Sequence, residues 1–510
     1  MRHGFQVLSF VTGGVMKRRF RSGISASSGL GLSSLSHDEL DSIHYATLQI
    51  LQDTGIKVMN EKALEVFHGG GALVEKHADF GLVRIPPYLV EESAFRAPHT
   101  FVYDARNPAD DFIMEPNRVG FTTFGGCINV IDPYTREHRR ATKKDCGELV
   151  RVGDYLDEIS VVERMVNSTD VMDGAQSVHN LEAMLTNTGK HIFIGVDSVR
   201  ALQVMVELAS TSVGGRGIFD KRPIFSVNIC PISPLTISQE TCDVIMESAR
   251  LGLGILVLPM ALSGGTASAS LAGTMVTHNA EVLGTIVLAQ LLKKGMLCTY
   301  GSTSTILDLR YGTSAIGSPE YGMINASLAK MAQYYRLPCW VGGGASDSKE
   351  PDIQSGYEFT LSAALSALSG GNIIFGSGVL EQGLTMDYAK LIMDAEMIRM
   401  IQIAIGGIPV NDDSLAMDVI HEVGPGGAYI SHEHNLRYMK SQSRVDLFDR
   451  RSREDWMEMT QGKSVRDRAY ERAIKIIETH EPYALPGNAS ETLKEIVHEF
   501  EMELRQDNKG

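Results

Sequence analysis

Eight short apolar or β-branched runs recur along the middle of this chain, and stretches with a helical pattern separate them. Short apolar runs bounded by turn residues are typical of buried strands. The runs are residues 119–124, 159–162, 191–194, 223–228, 252–258, 296–300, 337–341 and 372–375. Strands that alternate eight times with helices are the pattern of a (β/α)8 barrel. The sequence therefore predicts an α/β fold, with a TIM barrel over residues 119–410.

The segments on either side of this region differ from it in composition. Residues 36–118 hold short elements broken by glycine and proline, which predicts an N-terminal α+β cap. Its first helix has the capping-box pattern of Ser36 and Glu39. Residues 411–510 are polar and helical in pattern, which predicts a C-terminal helical extension. Residues 1–35 have the wrong charge order for a secretory signal, so we interpret them as a disordered extension or as the result of an upstream start codon.

The charge and the cysteine content exclude several classes of function. The formal net charge is -15, which argues against a nucleic-acid or anionic-membrane surface. The six cysteines are scattered and form no CxxC pair, so neither a disulfide framework nor a structural zinc site is indicated. No apolar run reaches the roughly 18 residues that a membrane span requires. We therefore predict a cytoplasmic protein with no nucleic-acid or membrane partner.

Several common catalytic motifs are missing from the chain. There is no GxSxG elbow, no P-loop and no GxGxxG that opens a helix, so hydrolysis, phosphoryl transfer and dinucleotide binding are not indicated. His432 and His434 form an isolated HxH in a polar segment, which is more typical of a solvated surface than of a metal site. Lys349 suggests a Schiff-base lysine, and a lyase built on it is the weaker alternative because its surroundings are polar.

The loops that follow the predicted strands are where a site is expected, because barrel enzymes bind at the carboxyl ends of their strands. Glycine after a strand allows a sharp turn or a close approach to a ligand. The loop after the seventh strand carries Gly343, Gly344, Ala345, Ser346 and Asp347. The loop after the sixth strand carries Asp308 and Arg310, which fit either a structural salt bridge or a substrate lid.

Several blocks of the sequence resemble one known family. The blocks are residues 43–47 (IHYAT), 231–235 (PISPL), 271–283 (LAGTMVTHNAEVL), 317–320 (GSPE), 343–349 and 447–450 (LFDR). Together they resemble the trimethylamine methyltransferase family of corrinoid-dependent methyltransferases. The resemblance runs from about residue 35 to about residue 480.

This resemblance implies a TIM barrel, a homo-oligomer and a methyl transfer. Family members take a methyl group from a methylated amine and give it to the Co(I) of a corrinoid on a separate small protein. The implied partner is thus a cognate corrinoid protein, and no cofactor is expected to bind tightly to this chain. The trimethylamine enzyme carries pyrrolysine in the loop after the seventh strand. Ala345 occupies the matching position here, so the chain resembles a member without pyrrolysine.

The alanine at this position bears on the methyl donor. Transfer to Co(I) resembles an SN2 displacement, in which a neutral tertiary amine would depart as an anion unless it is activated. The imine of pyrrolysine supplies that activation through an adduct, whereas a quaternary ammonium leaves as a neutral amine without help. We therefore predict a quaternary amine of the betaine, choline or carnitine type. Trimethylamine itself, or a non-catalytic amine-binding or corrinoid-docking role, are the alternatives.

A trimethylammonium pocket needs aromatic faces and few competing cations. Phe124, Trp340 and Phe375 lie on or next to predicted strands and are the aromatic candidates, with core packing as the alternative for each. Asn228 ends the fourth strand and is the candidate hydrogen-bond partner of a polar tail. Arg310 is the candidate cation for a substrate carboxylate.

Overall fold

Eight parallel strands form the centre of the protein, whose computed structural model describes residues 21–26 and 31–507. The strands are β1 (Arg118–Thr123), β2 (Val162–Glu163), β3 (Ile192–Ile194), β4 (Phe225–Ile229), β5 (Ile255–Val257), β6 (Cys298–Ser302), β7 (Cys339–Gly342) and β8 (Ile373–Ser377). Each strand from β2 to β8 pairs in parallel with the next, and β8 pairs in parallel with β1.

The sheet closes on itself between β1 and β2. Phe121 on β1 forms a parallel bridge with Ile159, and the Ser160 amide donates to the Phe121 carbonyl at 2.8 Å. A closed parallel sheet of eight strands is a TIM barrel, so the predicted fold class is confirmed. The second strand starts three residues later than predicted, at Val162, because Ile159 makes only this isolated bridge before the pairing with β3 begins.

One helix follows each barrel strand and packs outside it. The helices are α1 (Lys143–Tyr155), α2 (Gln176–Asn187), α3 (Val199–Ser212), α4 (Gln239–Leu251), α5 (Leu271–Leu292), α6 (Pro319–Tyr334), α7 (Ile353–Leu368) and α8 (Tyr388–Ile405). Within the described residues, α5 is the one helix long and apolar enough to cross a membrane, and 78% of its apolar window is buried in the fold. Its apolar composition therefore reflects its place between the cap and the barrel.

The N-terminal residues form a small helical and stranded layer on the barrel. Its helices are His37–Gln49, Glu61–Gly69 and Pro87–Arg96, and its strands are Ile56–Val58, Leu73–Lys76, Gly81–Arg84, Phe101–Tyr103 and Phe112–Met114. The capping box at Ser36 and Glu39 is confirmed, since each residue's side chain accepts a hydrogen bond from the other's backbone. Helix Pro87–Arg96 and helix His37–Gln49 both pack on α5.

The described part of residues 1–35 packs against the barrel. Ile24–Ser25 pairs antiparallel with β1, and Arg21 forms ion pairs with Asp110 and Asp157. Residues 1–20 and 27–30, which belong to the predicted extension, lie outside the described residues.

The C-terminal residues are helical. Their helices are Asp412–Leu415, Met417–Val423, Glu433–Tyr438, Arg453–Thr460, Val465–Thr479 and Ala489–Asp507. Val465–Thr479 packs on α8, and Ala489–Asp507 packs on α2 and α3. One hydrophobic core runs through the cap, the barrel and these helices. The domain boundaries at residues 118 and 410 stay predictions.

The interior of the barrel is filled by large apolar side chains. Trp340 on β7 is wholly buried there, and its ring centroid lies 4.2 Å from that of Phe193 on β3. The hairpin of Phe101–Tyr103 and Phe112–Met114 joins the same cluster. It covers the amino ends of the strands, where the ring of His191 donates to the Asp104 carbonyl. That end of the barrel is thereby filled, and the carboxyl end is left for a site.

We expect Trp340→Ala to lower the free energy of unfolding by about 3–5 kcal/mol, because it leaves a cavity in a packed interior. Chemical denaturation followed by circular dichroism measures this loss. The matched control is Trp456→Ala, which removes the same side chain at a partly exposed position and is expected to cost much less. Equal losses in the two variants would contradict the interior role of Trp340.

Candidate functional site

A cavity of about 640 Å³ opens at the carboxyl ends of the strands. Every barrel strand except β7 supplies a lining residue at or just beyond its carboxyl end. The lining includes Phe124, Gly125, Glu163, Arg164, Gly195, Asp197, Asn228, Leu258, Thr303 and Phe375. This volume is within the range of small-molecule sites. The position of the cavity is the one that barrel enzymes use for catalysis.

Two aromatic rings form one wall of this cavity. Phe124 after β1 and Phe375 on β8 are stacked, with ring centroids 5.7 Å apart and an interplanar angle of 25°. Gly383 lies against Phe124, where an added Cβ would be 3.1 Å from the ring, and its φ of +96° also favours glycine. Stacked rings at a cavity wall present π faces or edges to a bound cation or apolar group.

A buried carboxyl group forms the polar part of the wall. Glu163 ends β2, and its Oε1 accepts a hydrogen bond from Asn228 Nδ2 at 2.5 Å. Glu163 Oε2 and Asn228 Oδ1 are buried without a partner in the described part of the chain. Gly125 makes room for this group, since a Cβ there would be 2.3 Å from Glu163 Cγ. Both free oxygens are thus available to a ligand.

Burial raises the pKa of the Glu163 carboxyl to about 8, although nearby Arg164 and the Asn228 hydrogen bond lower it. The empty cavity therefore holds a protonated Glu163 at neutral pH. A bound cation would favour the ionised form, because an opposite charge nearby lowers the pKa of a carboxyl group.

The loop after β7 is tied to α7. Gly343 donates its amide to the Phe375 carbonyl at 3.0 Å, and Gly344 donates its amide to Ser362 Oγ at 2.8 Å. Ser346 Oγ and the Asp347 amide both donate to Glu358 Oε2, at 2.7 and 2.8 Å. These bonds direct the polar groups of the loop toward the helix.

Ala345 is wholly buried in the hydrophobic core. Its amide lies behind β8, 2.7 Å from where a Cβ on Gly376 would stand. The neighbouring Ser346 carbonyl accepts from the Gln382 amide at 3.4 Å, and Gln382 lines the cavity. Among the described residues, none from 343–347 lines the cavity itself.

The structure places the other predicted site residues differently. Phe124, Asn228 and Phe375 line the cavity together. Trp340 does not line it, because its ring lies in the barrel interior, with its centroid 6.4 Å from that of Phe375. Its expected contact with substrate is therefore corrected to a packing role beneath the site.

Arg310 also lies away from the cavity. Its side chain is 78% exposed and forms an ion pair with Asp308 at 2.7 Å, so its expected contact with a substrate carboxylate is corrected as well. The two residues follow a strand (Thr305–Asp308) whose antiparallel partner is Thr313–Ala315. Ser314 and Ile316 of the same loop do line the cavity, so the loop borders the site through other residues.

Two further motifs lie outside the site. His432 Nε2 lies 3.4 Å from Glu422 Oε2, and the Glu422 side chain is 75% exposed. Lys349 is exposed, and its Nζ donates to the Asp347 carbonyl at 2.8 Å. Neither residue lines the cavity within the described part of the chain.

Three lining residues were not predicted from the sequence. Glu163 and Arg164 directly follow the run 159–162, and a charged pair just after an apolar run was the available signal. Tyr321 in the first turn of α6 is wholly buried, and its hydroxyl has no partner among the described residues. Gly342 makes room for it, since a Cβ there would be 2.2 Å from Tyr321 Oη. Such a side chain gives no signal in a single sequence.

The fold and the cavity define a TIM-barrel protein with a small-molecule site at the carboxyl ends of its strands. A family model described as trimethylamine methyltransferase (MTTB) matches residues 28–504. The chain therefore belongs to the trimethylamine methyltransferase family.

Three relatives show how the chain is related to characterised names. It is 46% identical to trimethylamine methyltransferase MttB of Desulfitobacterium hafniense, over 96% of this chain and 98% of that one. It is 36% identical to trimethylamine methyltransferase MttB1 of Methanosarcina mazei, over 95% and 98% of the two chains. It is 29% identical to glycine betaine methyltransferase of Desulfitobacterium hafniense, over 91% and 96%.

Glu163→Gln is expected to change how stability depends on pH. Because the pKa of Glu163 is raised to about 8 from its usual 4.5, the folded protein keeps a proton that the unfolded chain loses. The free energy of unfolding of the unmodified protein therefore carries a term that falls between about pH 4.5 and pH 8, by at most about 1.4 kcal/mol per pH unit. The glutamine variant lacks this term, so its stability relative to the parent rises with pH and levels off above pH 8.

Urea denaturation at pH 5, 6, 7 and 8 measures this difference. The matched control is Glu65→Gln, which makes the same change at an exposed position of the cap. A pH-independent difference between the Glu163→Gln variant and the parent would contradict the raised pKa.

Proposed function

We propose that this chain is a methyltransferase that moves a methyl group from a quaternary amine to the Co(I) corrinoid of a separate partner protein. The observation that carries the proposal is the loop after β7, where Ala345 stands at the position of the family's pyrrolysine. Among the described residues, this loop presents no side chain to the cavity. It therefore offers no electrophile to activate a neutral amine, and the methyl donor has to arrive already activated.

The residues of the cavity suit such a donor. A quaternary ammonium carries a diffuse positive charge on methyl groups, which the faces and edges of Phe124 and Phe375 would contact. Glu163 supports the same charge, because its free Oε2 would ionise beside a cation. The low-polarity wall also excludes water from the reacting methyl group. When the methyl group is removed, the donor leaves as a neutral amine and no proton has to be supplied.

The corrinoid supplies the nucleophilic cobalt when its carrier protein is bound. The cavity of about 640 Å³ has the size of a small-molecule site, so it takes the amine and the corrinoid has to be presented from the barrel mouth. This fit agrees with a corrinoid carried by a partner protein. The partner, the homo-oligomer and the cytoplasmic location are parts of the same proposal.

Trimethylamine is the second candidate substrate. The observation that favours it is the 46% identity to a relative that is named a trimethylamine methyltransferase. The 29% identity to a glycine betaine methyltransferase shows that quaternary-amine chemistry also occurs among the relatives of this chain.

A methyl-transfer assay distinguishes these candidates. The protein is mixed with its cognate corrinoid protein in the Co(I) state and with glycine betaine, choline, carnitine or trimethylamine in turn. We expect the absorbance of methyl-Co(III) with at least one quaternary amine and none with trimethylamine. The control is the corrinoid protein with each amine alone.

Activity with trimethylamine only would contradict the quaternary-amine class. Activity with none of the amines would favour the non-catalytic alternative.

Phe124→Leu is expected to weaken the binding of tetramethylammonium by about 5- to 30-fold, because leucine keeps an apolar contact and lacks the π face. Isothermal titration calorimetry measures the dissociation constant. The control is Phe95→Leu, the same substitution at a side chain that is 72% exposed. Unchanged affinity in the Phe124→Leu variant would remove this ring from the ammonium site.

A further inference from the structure

Arg164 is the cationic residue of the cavity wall, and it lies one residue beyond β2. Its guanidinium lies between glycines that follow the neighbouring strands. A Cβ on Gly126, after β1, would be 3.5 Å from one terminal nitrogen, and a Cβ on Gly195, after β3, would be 3.9 Å from the same nitrogen. Side chains at these two positions would crowd the guanidinium, so the glycines leave it room at the cavity.

This guanidinium has no partner within the described part of the protein. No ion pair or side-chain hydrogen bond of Arg164 occurs among residues 21–26 and 31–507, and its Nε is buried without an acceptor. An arginine carries five N–H donors and keeps its charge in proteins. A half-buried guanidinium without an acceptor is costly, because desolvation is not offset by hydrogen bonds.

The carboxylates of the cavity are engaged elsewhere. Asp197 Oδ2 accepts the Ser177 amide at 2.7 Å. Glu240 is hydrogen-bonded at the start of α4, by its own amide and by the hydroxyl of Ser238. Glu163 is bound to Asn228. None of the three approaches Arg164 within 4.0 Å in the described structure. The missing anion is thus a group that the protein itself does not supply.

We propose that Arg164 binds a carboxylate on the methyl donor, and that it thereby selects zwitterionic substrates over quaternary amines without an anionic group. This inference rests on the proposed function and names the class of donor within it. The trimethylammonium end would lie against Phe124 and Phe375, and the carboxylate would accept two N–H bonds from the guanidinium. Paired N–H bonds of this kind are the strong and directional mode of carboxylate recognition.

The arrangement also explains how the cavity holds opposite charges on one ligand. Phe124 and Arg164 follow β1 and β2, which are neighbouring strands of the closed sheet. A compact zwitterion would span the two contacts without leaving the cavity. A donor with an uncharged tail, such as choline, would leave the guanidinium desolvated and without a partner.

The test measures dissociation constants by calorimetry for glycine betaine, choline and tetramethylammonium. We expect the unmodified protein to bind glycine betaine more tightly than choline. We expect Arg164→Gln to weaken glycine betaine by about 10- to 100-fold, since it removes a charge-assisted pair, and to leave tetramethylammonium within about two-fold. Arg164→Lys should recover part of the loss, because it keeps the charge without the paired geometry.

Binding of tetramethylammonium by the Arg164→Gln variant shows that its cavity is folded. The matched control is Arg310→Gln, which removes an exposed arginine outside the cavity and should leave all three constants within about two-fold. Equal losses for glycine betaine and tetramethylammonium, or no loss for glycine betaine, would overturn the role of Arg164.

The methyl-transfer assay separates this inference from the proposed function. Retained transfer from choline or another uncharged-tail donor at the rate of glycine betaine would overturn the carboxylate selection and leave the methyltransferase intact. Loss of transfer from every amine would overturn both.

Discussion

Closure of the parallel sheet is the constraint on which the site depends. The hydrogen bond from the Ser160 amide to the Phe121 carbonyl joins β2 to β1, and β8 pairs with β1 on the other side. Because all eight strands run in the same direction, closure gathers their carboxyl ends into one ring. Phe124 and Phe375 are 251 positions apart in the chain and stack only because of it. The amino end is filled by the hairpin of the cap, so one end of the barrel remains for a ligand.

The loop after β7 shows how an absent side chain shapes the chemistry. Its polar groups bind α7 through Glu358 and Ser362, and Ala345 completes the core behind β8. Burial raises the pKa of Asp347 to about 6, while amides of Ile316 and Gly317 that hydrogen-bond the carboxylate lower it. The loop thus serves the architecture of the barrel. The cavity receives its chemical character from the ends of the other strands.

Adjacent residues at the end of β2 divide the electrostatic task. Glu163 is wholly inside the wall and pairs with Asn228, whereas Arg164 reaches out between two glycines. The proximity of Arg164 lowers the pKa of Glu163, although burial still dominates. A ligand with a positive and a negative end is complementary to both groups. A single cation would satisfy one of them.

The sequence by itself determined the barrel, because the period of apolar runs and helices follows from burial of each strand between the interior and the outer helices. It also identified Phe124, Asn228 and Phe375, since these residues stand at strand ends that closure brings together. The resemblance placed Ala345. Only the tertiary structure decided which layer a strand residue occupies and how far a loop arginine reaches. Trp340 alternates into the packed interior, and Arg310 pairs with its neighbour Asp308. Arg164 faces the cavity because glycines on two neighbouring strands leave space there, and contacts between distant segments of this kind leave no periodic pattern in a single sequence.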